Sequence, residues 1–388
     1  MTRQILVLNA GSSSIKFAVF GGPRLDRRIL QGMISGLGTQ AVFTAGNADG
    51  PLAGTLPAAV HSHESALAWL FDWLEAGGHA GDLAAAGHRV VHGGTTHDTP
   101  ALLDAATLQA LRKLIPLAPL HQPHNLAAID ALAKLRPALP QVACFDTAFH
   151  CSQPAVAQAL ALPREFAAQG LRRYGFHGLS YEYVAGRLPE VLGTRAEGRV
   201  IVAHLGNGAS LCALRQRRSI ATSMGFSTLD GLVMGTRCGS IDPGALLHLL
   251  RERRMPAQEL EDLLYRRSGL LGVSGISNDM RTLLGSSDPK AAEAIELFVY
   301  RAAQEIGALA AALEGLDALV FTGGIGENAA PVRAMICAKL GWLGITLDEA
   351  ANTRHDRCIT QPGAASAHVI ATDEEAVIAA HTARLVTP

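Results

Sequence analysis

The chain has 388 residues and a formal net charge of −1, from 33 lysines and arginines against 34 aspartates and glutamates. This balance excludes a polyanion-binding protein, which needs a basic surface, so no nucleic-acid partner is expected. No run of about 20 apolar residues occurs, so no membrane partner is expected either. The six cysteines have no CxxC spacing and are expected to be reduced. With 48% hydrophobic residues, the composition predicts a soluble, cytoplasmic protein of two domains.

The first half of the chain alternates strand-like and helix-like segments. Residues 5–8 and the alternating apolar residues of 15–19 predict a half-buried hairpin, joined by the small polar turn 9–14. Pro116 and Pro137 are expected to end helices. The helices predicted here cover 61–76, 104–115 and 123–135, and the further strands cover 84–92 and 142–145.

The second half, from about residue 150, repeats the opening pattern. Its apolar run 200–205, the turn 206–210 and the following strand lie about half the chain away from the first hairpin. This weak repeat predicts a duplicated domain with a cleft between the halves. The remaining helices are predicted over 243–254, 256–266, 288–314 and 374–385, with strands over 318–321 and 368–371. Alternating strands and helices with Gly-rich turns at strand ends predict an α/β fold.

Three small, glycine-containing turns follow or join strands, at 9–14, 206–210 and 322–328. The backbone N–H groups of such turns can hold phosphate oxygens, although a single turn of this kind is more often an ordinary hairpin. The chain has no GxxxxGK[ST] motif and no GxGxxG motif. Three such turns, two of them at the repeat position, therefore favour a nucleotide site of a different kind.

Two arginines lie among glycines and apolar residues, Arg89 in GHRVVHGG and Arg237 in GLVMGTRCGSIDPG. A guanidinium in such surroundings needs an anionic partner. That partner is either a carboxylate of the protein, in a buried ion pair, or a carboxylate or phosphate of a ligand. The sequence leaves both alternatives open.

Carboxylates follow two predicted strands, where phosphoryl-transfer sites hold Mg²⁺. Asp146 and Glu374 are the candidates for this chemistry. Glu375 is expected to be a solvated residue of the last helix, and Asp373 its N-cap.

Two further side chains have an alternative structural role. His177 stands between an aromatic residue and a glycine, which favours a shaped pocket, but a lone histidine is more often structural. Lys16 follows the first turn, so it either reaches a phosphate or is an ordinary strand lysine.

Ten motifs occur in order from Asn9 to Glu375: NAGSSSIKF, GHRVVHGG, APLH, FDTAFH, YGFHG, HLGNGAS, TSMGF, MGTRCGSIDP, FTGGIGEN and TDEE. The set resembles the acetate kinase family, the short-chain carboxylate kinases of the actin-like, sugar kinase and Hsp70 ATPase superfamily. The resemblance implies a duplicated actin-like (RNase H-like) ATPase fold with a nucleotide cleft between domains 1–149 plus 375–388 and 150–374. It also implies a homodimer that transfers the γ-phosphoryl group of ATP to a carboxylate, reversibly, giving an acyl phosphate and ADP.

The resemblance implies that the family's site residues lie at the matching positions of this sequence. Those implied at the reacting groups are Arg89, Asp146, His177 and Arg237. Those implied around the acid are Arg89, Val91, Leu120, Phe176 and Thr228. Those implied around ATP are Ser12, Lys16, His204, Asn207, Gly208, Asp279, Met280, Arg281, Gly323, Gly324, Ile325, Gly326 and Asn328. Mg²⁺, with Mn²⁺ as the alternative metal, is implied at Asn9 and Glu374.

The chain departs from the family pattern at Gln122 (usually Asn), Tyr181 (usually His), Thr228 (usually Pro), Ser240 (usually Asp) and Met280 (often aromatic). Thr228 leaves acetate and propionate open, because one methylene is worth only about 1–3 kcal/mol in an apolar pocket. Ser240 and Tyr181 leave open how Arg237 and His177 are supported.

Three other functions were weighed against an acetate or propionate kinase. A kinase for a longer acid such as butyrate is disfavoured by Val91 and Leu120, which predict a small pocket. An actin-like ATPase switch has no use for Arg89, Arg237 and His177 together, since it binds no second anion. A regulatory protein without activity is disfavoured because every implied charged residue is present.

Overall fold

The computed structural model describes residues 3–78 and 82–386. The chain divides into two compact units: unit 1, residues 1–149 with 373–388, and unit 2, residues 150–372. The domain bounds implied by the resemblance stay a prediction. Over the described ranges, no helix combines the length and the apolarity needed to cross a membrane.

Unit 1 contains eight strands: β1 (Gln4–Ala10), β2 (Ser14–Gly21), β3 (Arg27–Ser35), β4 (Val42–Asn47), β5 (Gly50–Leu52), β6 (Leu83–Val90), β7 (Ala101–Leu102) and β8 (Gln141–Phe145). They form one sheet in the order β5-β4-β3-β2-β1-β6-β8-β7. β1 pairs antiparallel with β2 and parallel with β6, and β6 pairs parallel with β8. The predicted hairpin and the strands that become β6 and β8 are confirmed.

The expected half-buried alternation of β2 is wrong. From Phe17 onward every residue of β2 is buried, because the strand lies inside the sheet between β1 and β3. Its Phe17 ring joins Phe43 and Trp73 in an aromatic cluster on one face. The strand is therefore part of the core on both faces and not an amphipathic surface hairpin.

The helices of unit 1 are α1 (His63–Ala76), α2 (Ala105–Arg112), α3 (Gln122–Leu135) and the C-terminal helix (Glu374–Val386). α1 begins with a capping box in which Ser62 and Ser65 each accept a hydrogen bond from the other's backbone N–H. The expectation that α2 runs to residue 115 is wrong. A proline disfavours helical geometry in the residue before it, so Pro116 lies within a separate 3₁₀ turn, Ile115–Leu117.

The C-terminal helix packs against β1, β6 and β8. It lies so close to β6 that a Cβ on Gly87 would be 2.3 Å from Thr382 Oγ1 and 2.6 Å from Ile378 Cγ2. Only glycine allows this approach. The helix therefore belongs to the core of unit 1, although nearly the whole chain separates it from β1.

Unit 2 contains five strands: β9 (Val200–Leu205), β10 (Ala209–Arg215), β11 (Arg218–Thr222), β12 (Ala318–Thr322) and β13 (Ser366–Val369). They form a sheet in the order β11-β10-β9-β12-β13. β9 pairs antiparallel with β10 and parallel with β12, and β12 pairs parallel with β13. This is the pairing pattern of β3-β2-β1-β6-β8 in unit 1, which confirms the predicted repeat. The last strand begins and ends two residues earlier than predicted.

The helices of unit 2 are α4 (Ala155–Gln158), α5 (Arg164–Ala168), α6 (Gly178–Leu192), α7 (Pro243–Arg251), α8 (Ala257–Arg266), α9 (Gly269–Ser274), α10 (Met280–Leu284), α11 (Pro289–Leu313), α12 (Gly323–Asn328), α13 (Ala330–Ala338) and α14 (Glu349–Thr353). α7, α8 and α11 confirm three predicted helices. The predicted Gly-rich turn over 322–328 is wrong, because α12 is helical there.

Candidate functional site

In unit 1, Arg89 and Asp146 form an ion pair at the ends of neighbouring parallel strands. Arg89 Nε lies 3.1 Å from both carboxylate oxygens of Asp146, and its terminal nitrogen lies 2.5 Å from Oδ2. The Asp146 side chain is 1% exposed and that of Arg89 is 21% exposed. The first alternative for Arg89, a carboxylate of the protein, is therefore observed. The pair leaves part of the guanidinium at the surface.

Asn9 and Lys16 come to the same edge of the sheet through the strand register. Asn9 in β1 pairs with Lys16 in β2, and its Oδ1 accepts a hydrogen bond from Arg89 at 3.3 Å. A guanidinium has five N–H groups, and these contacts use three of them. Two N–H groups of Arg89 are therefore left for an anion. Lys16 is exposed beside them.

Glu374 lies at the start of the C-terminal helix, with its carboxylate near the Arg89–Asp146 pair. Removal from water raises its pKa to about 7; Arg89 lowers it, while Asp146 and Glu375 raise it further. The Arg89 pKa is raised: burial acts against this, but the charges of Asp146 and Glu374 outweigh it. Two carboxylates thus face one arginine, and Lys16 also lowers the Glu374 pKa, but burial outweighs both cations.

The chemistry of these side chains fits a hard divalent cation. Asn9, Asp146 and Glu374 offer amide and carboxylate oxygens, the ligand type that Mg²⁺ prefers. The raised pKa of Glu374 indicates a deficit of positive charge that such a cation would balance. Among residues 3–78 and 82–386, no group of three or more His, Cys, Asp and Glu side chains is arranged to hold a metal. A cation here would therefore keep water or phosphate oxygens as its remaining ligands.

The neighbouring positions expected to bind the acid are held by amide side chains. Val91 is buried, and its N–H donates to Asn125 Oδ1 at 3.0 Å, while Asn125 Nδ2 donates to the Ala10 carbonyl at 2.7 Å. Gln122, one of the departures, is 0% exposed and bonds both the N–H and the carbonyl of His92. Both the oxygen and the nitrogen of the Gln122 amide are thus hydrogen-bonded to the backbone of the segment after Arg89.

The polar turn between β1 and β2 and the residues around it are more exposed. Ser12 is exposed within the turn, which is closed by a bond from Gly11 N–H to the Ser14 carbonyl at 2.8 Å. Leu120 is half-buried ahead of α3.

Asp373 accepts from the Ala376 N–H at 3.0 Å, as expected of an N-cap, and also pairs with Arg28. Glu375, expected to be solvated, is half-buried with Arg28 4.0 Å away.

In unit 2, His177 caps the start of α6 with a strained backbone. Its φ is 59°, in the left-handed region that few non-glycine residues adopt. Its Nδ1 lies 2.8 Å from Ser210 Oγ, and its ring stacks on His204 with centroids 4.4 Å apart. His204 Nδ1 in turn lies 2.8 Å from Ser180 Oγ. The surroundings therefore fix both the position and the plane of the His177 ring.

The β9–β10 turn brings His177 and Arg237 close together. A Cβ built on Gly208 would lie 3.4 Å from His177 Nε2 and 3.6 Å from an Arg237 terminal nitrogen. Arg237 donates to the Thr228 carbonyl at 3.2 Å and is half-buried. Phe176 is buried in the segment before His177. The predicted residues His177, Gly208, Arg237 and Thr228 thus form one group within unit 2.

A cavity of about 550 Å³ in unit 2 is lined by Gly206, Asn207, Asn278, Asp279, Met280, Arg281, Leu284, Gly324, Ile325, Asn328, Ala329 and Pro331. Its size suits a nucleoside. Seven of the residues expected around ATP lie here. Asp279 and Arg281 also bond each other and cap α10, which is their structural role. Met280 is buried and forms part of the cavity wall.

Asn207 is held in the cavity by two contacts. Asn278 Nδ2 donates to Asn207 Oδ1 at 3.3 Å, and the Gly235 N–H donates to the Asn207 carbonyl at 2.9 Å. A Cβ on Gly235 would lie 2.0 Å from Asn207 Oδ1, so only glycine fits there. Asn278 and Gly235 thus fix the side chain at the β9–β10 turn.

Two charged residues that the sequence analysis missed hold α12 from opposite ends. Glu327 accepts from the N–H groups of Gly323 at 2.8 Å and of Thr372 at 3.1 Å. Arg333 is 0% exposed and donates to the carbonyls of Gly326 and Glu327 at 2.9 and 2.8 Å. The signal available in the sequence was an arginine in the apolar stretch APVRAMICA. These two side chains shape the glycine segment of the cavity.

Ser240 supports the carboxylate of Asp230. Its Oγ donates to Asp230 Oδ1 at 2.7 Å, and Asp230 pairs with Arg173 at 2.8 Å. The departure at this position therefore completes the Asp230–Arg173 ion pair.

The sequence model that describes the acetokinase family matches residues 4–380 of the chain. The chain belongs to the acetokinase family. It is 57% identical over 394 residues to a protein of Rhodopseudomonas palustris named acetate kinase, covering 99% of both chains. It is 46% identical over 397 residues to one of Methylocella silvestris with the same name, covering 99% of this chain and 98% of that protein. The expected family is confirmed.

Solved structures of the acetokinase family have the same fold. A propionate kinase from Francisella tularensis superimposes with a TM-score of 0.92 at 39% identity, covering 98% of this chain and 99% of that one. An acetate kinase from Porphyromonas gingivalis does so with a TM-score of 0.88 at 35% identity, covering 99% of this chain and all of that one. These likenesses confirm the expected duplicated actin-like α/β architecture.

Proposed function

We propose that this acetokinase-family protein transfers the γ-phosphoryl group of ATP to acetate, reversibly, giving acetyl phosphate and ADP. The observation that carries the proposal is the Arg89 group in unit 1, where Asn9 and Asp146 hold a guanidinium with two N–H groups left for an anion. A protein that only hydrolyses ATP has no need of this second anion site.

The reaction needs positioned positive charge and no general base. A carboxylate is already ionised near pH 7, so the nucleophile needs no activation. The transition state for phosphoryl transfer spreads negative charge over three equatorial oxygens. Arg89 and Arg237 bind the carboxylate and the transferring group, and His177 donates a hydrogen bond to the latter. Asp146 orients Arg89 through the ion pair.

Mg²⁺, with Mn²⁺ as the alternative, is the cofactor in this proposal, and Asn9 and Glu374 are the residues that would hold it. When bound, the cation neutralises charge on the phosphate oxygens. Its charge also keeps Glu374 ionised, against the burial that raises the pKa of this side chain to about 7.

ATP is bound in this proposal by residues of both units. In unit 2, the cavity lined by Asn207, Ile325 and the segment 278–281 takes the adenosine. His204 and the glycines at 208, 323, 324 and 326 lie around the β9–β10 turn and in α12, where the phosphates are proposed to lie. Lys16 and Ser12 in unit 1 are proposed to contact phosphate oxygens.

A second acid is a specific alternative. Val91, Leu120, Phe176 and Thr228 are proposed to line the alkyl pocket. The Francisella tularensis structure named as a propionate kinase is among the similar ones. Since one methylene changes binding in an apolar pocket by about 1–3 kcal/mol, both acids are expected to react to different extents.

The test is acyl-phosphate formation from ATP and Mg²⁺, trapped as the hydroxamate, with acetate, propionate, butyrate and no acid. Acetate-dependent product with a higher kcat/KM than for the other acids supports the proposal. A higher kcat/KM for propionate supports propionate, and not acetate, as the substrate. Release of ADP without acyl phosphate contradicts both, and with them the roles of Arg89, Arg237 and His177.

We also propose a cytoplasmic homodimer. None of the residues of α7 is buried, and Leu247 and Leu250 are 48% and 37% exposed. Apolar surface of this kind favours a contact with a second copy. The six cysteines are free, which suits a reducing compartment. Sedimentation of the wild type and of Leu247→Asp tests the contact: a dimer that becomes a monomer is expected.

A further inference from the structure

Tyr181 belongs to the first turn of α6, one turn after His177, and the proposed reaction does not use it directly. Its side chain is 0% exposed, and its hydroxyl lies 2.5 Å from Ser210 Oγ. Ser210 is also 0% exposed, and its Oγ lies 2.8 Å from His177 Nδ1. A buried line of polar groups therefore runs from Tyr181 through Ser210 to one ring nitrogen of His177.

Two arrangements of the hydrogens run continuously along this line. A serine hydroxyl has one hydrogen to donate and lone pairs to accept with. If Tyr181 donates to Ser210 and Ser210 donates to His177 Nδ1, a neutral ring carries its hydrogen on Nε2. In the reverse arrangement Nδ1 carries the hydrogen, Ser210 donates to Tyr181, and Nε2 presents a lone pair.

The surroundings of Nε2 favour the first arrangement. Nε2 lies on the Gly208 side of the ring, where a terminal nitrogen of Arg237 also lies. A lone pair on Nε2 would repel an anion bound by Arg237, whereas an N–H would donate to it. Burial raises the pKa of the Tyr181 hydroxyl well above its usual value, so this hydroxyl keeps its hydrogen.

We propose that Tyr181 is a positioning residue that acts through Ser210 to hold His177 in the neutral tautomer with its hydrogen on Nε2. His204 stacks on the ring and sets its plane, while the Tyr181–Ser210 line sets which nitrogen is protonated. Both the preference for this tautomer and the use of its hydrogen rest on the proposed function, which places an anion beside Arg237, so the tautomer is to be read with acetate present. The tyrosine, a departure from the family pattern, supplies the donor.

The first measurement is nitrogen NMR of the full-length protein labelled with ¹⁵N-histidine. The His177 signals are identified by their absence in His177→Asn. The wild type is expected to show a protonated Nε2 and an unprotonated Nδ1. In Tyr181→Phe, Ser210 is released to accept from Nδ1, so a population with Nδ1 protonated is expected. Tyr183→Phe, with the same change two residues further along α6, is the matched control and is expected to match the wild type.

The second measurement is acetyl-phosphate formation by the same proteins. Tyr181→Phe is expected to lower kcat about 10- to 100-fold, as loss of an outer hydrogen-bond partner does at metal sites. The KM values for ATP and acetate are expected to stay near those of the wild type, because the change affects a transition-state contact. Ser210→Ala is expected to give both effects, and it replaces Tyr181→Phe if that variant does not fold.

The outcomes separate this proposal from the proposed function. Identical His177 nitrogen signals in the wild type and in Tyr181→Phe overturn it, even where kcat falls. An equal fall of kcat in Tyr183→Phe also overturns it, because a general loss of packing then explains the effect. If the tautomer changes as expected but the wild type forms no acyl phosphate, the positioning role stands and the proposed function fails.

Discussion

Units 1 and 2 share one five-stranded pattern but place their charges differently. At the strand ends of unit 1, Arg89 lies in β6 and Asp146 directly follows β8, while Glu374 comes from the start of the C-terminal helix. In unit 2 the corresponding ends carry the neutral Asn207 and the glycines of α12, and the cation Arg237 comes from a loop. The same sheet thus supports an ionic site in one unit and, in the other, a cavity whose charged lining residues are the paired Asp279 and Arg281. The difference lies in a few side chains at strand ends and not in the fold.

The largest effect is expected from removing either arginine. Arg89→Ala and Arg237→Ala should each lower kcat by about 10²–10³, as loss of one transition-state donor does. Only Arg89→Ala should also lower the free energy of unfolding strongly, by about 3 kcal/mol, since it leaves the buried Asp146 without its ion-pair partner. Kinetics of acetyl-phosphate formation and urea unfolding measure the two quantities. Arg217→Ala, which breaks an exposed ion pair with Glu197, is the control.

Equal loss of stability in the two arginine variants would remove the difference between the units. Near-normal turnover in a folded Arg89→Ala or Arg237→Ala protein would contradict the site itself.

In unit 2, the largest effect on stability is expected at Arg333. Arg333→Met removes the donor to the buried Gly326 carbonyl and one of two neighbours that can donate to the Glu327 carbonyl, the other being His355 Nδ1 at 3.0 Å, at a cost of about 1–3 kcal/mol. The KM for ATP should rise, because α12 borders the cavity, while the KM for acetate should change little. Arg354→Met, at an exposed ion pair, is the matched control and should leave both quantities near the wild type. A KM for acetate that rises as much as that for ATP speaks against a local effect.

Glu374 and Glu375 are adjacent residues with different expected roles, so they sharpen the description of unit 1. Glu374→Gln should weaken the apparent affinity for Mg²⁺ about 10- to 100-fold, the size of effect seen at metal sites. Glu375→Gln, at a side chain that lies 4.0 Å from Arg28 and is not a proposed ligand, should change it less. Titration of activity with Mg²⁺ at saturating ATP measures both. Similar losses in the two variants would place the metal elsewhere.

The smallest expected effect is a pH dependence of the free energy of unfolding, to which a buried histidine in each unit contributes. Burial lowers the pKa of His88 in unit 1 and of His150 in unit 2 to about 4. The unfolded chain, with its pKa of 6.5, therefore binds protons between pH 6.5 and 4 that the folded protein does not. The free energy of unfolding should fall as the pH falls through this range, by at most about 1.4 kcal/mol per pH unit for each histidine.

Urea unfolding over this range, for the wild type, His88→Gln and the exposed His61→Gln, checks the acid effect. The His88 variant should show a shallower slope and the His61 variant the wild-type slope. Parallel slopes for all three proteins would exclude His88 as a source of acid sensitivity.

Local patterns in the sequence predicted most of the central elements. The apolar runs before two small turns give the hairpins β1–β2 and β9–β10, and Ser62 marks the start of α1. Elements that depend on distant partners were missed. The strands β3 to β5 mix polar and apolar residues because they approach the edge of the sheet. The start of α6 was hidden because His177 adopts a left-handed backbone there.

The sequence predicted which residues belong to the site, but not which of them contact each other. The apolar surroundings of Arg89 required an anion, but no local pattern indicates that it is Asp146, 57 residues away. The contact between Tyr181 and Ser210, 29 residues apart, has no local signal either. α12 looked like a turn because three of its six residues are glycine, and Glu327 and Arg333 stabilise it through side chains outside any local rule.

The close approach of the C-terminal helix to Gly87 has a consequence for how the protein is made. The strands of unit 1 are translated before unit 2, but the helix that covers β1, β6 and β8 is translated after it. Until then, the face of β6 on which Ile378 and Thr382 will pack has no cover. Unit 2 ends at residue 372, so all of it is translated before this helix. Unit 1 is therefore begun before unit 2 and completed after it.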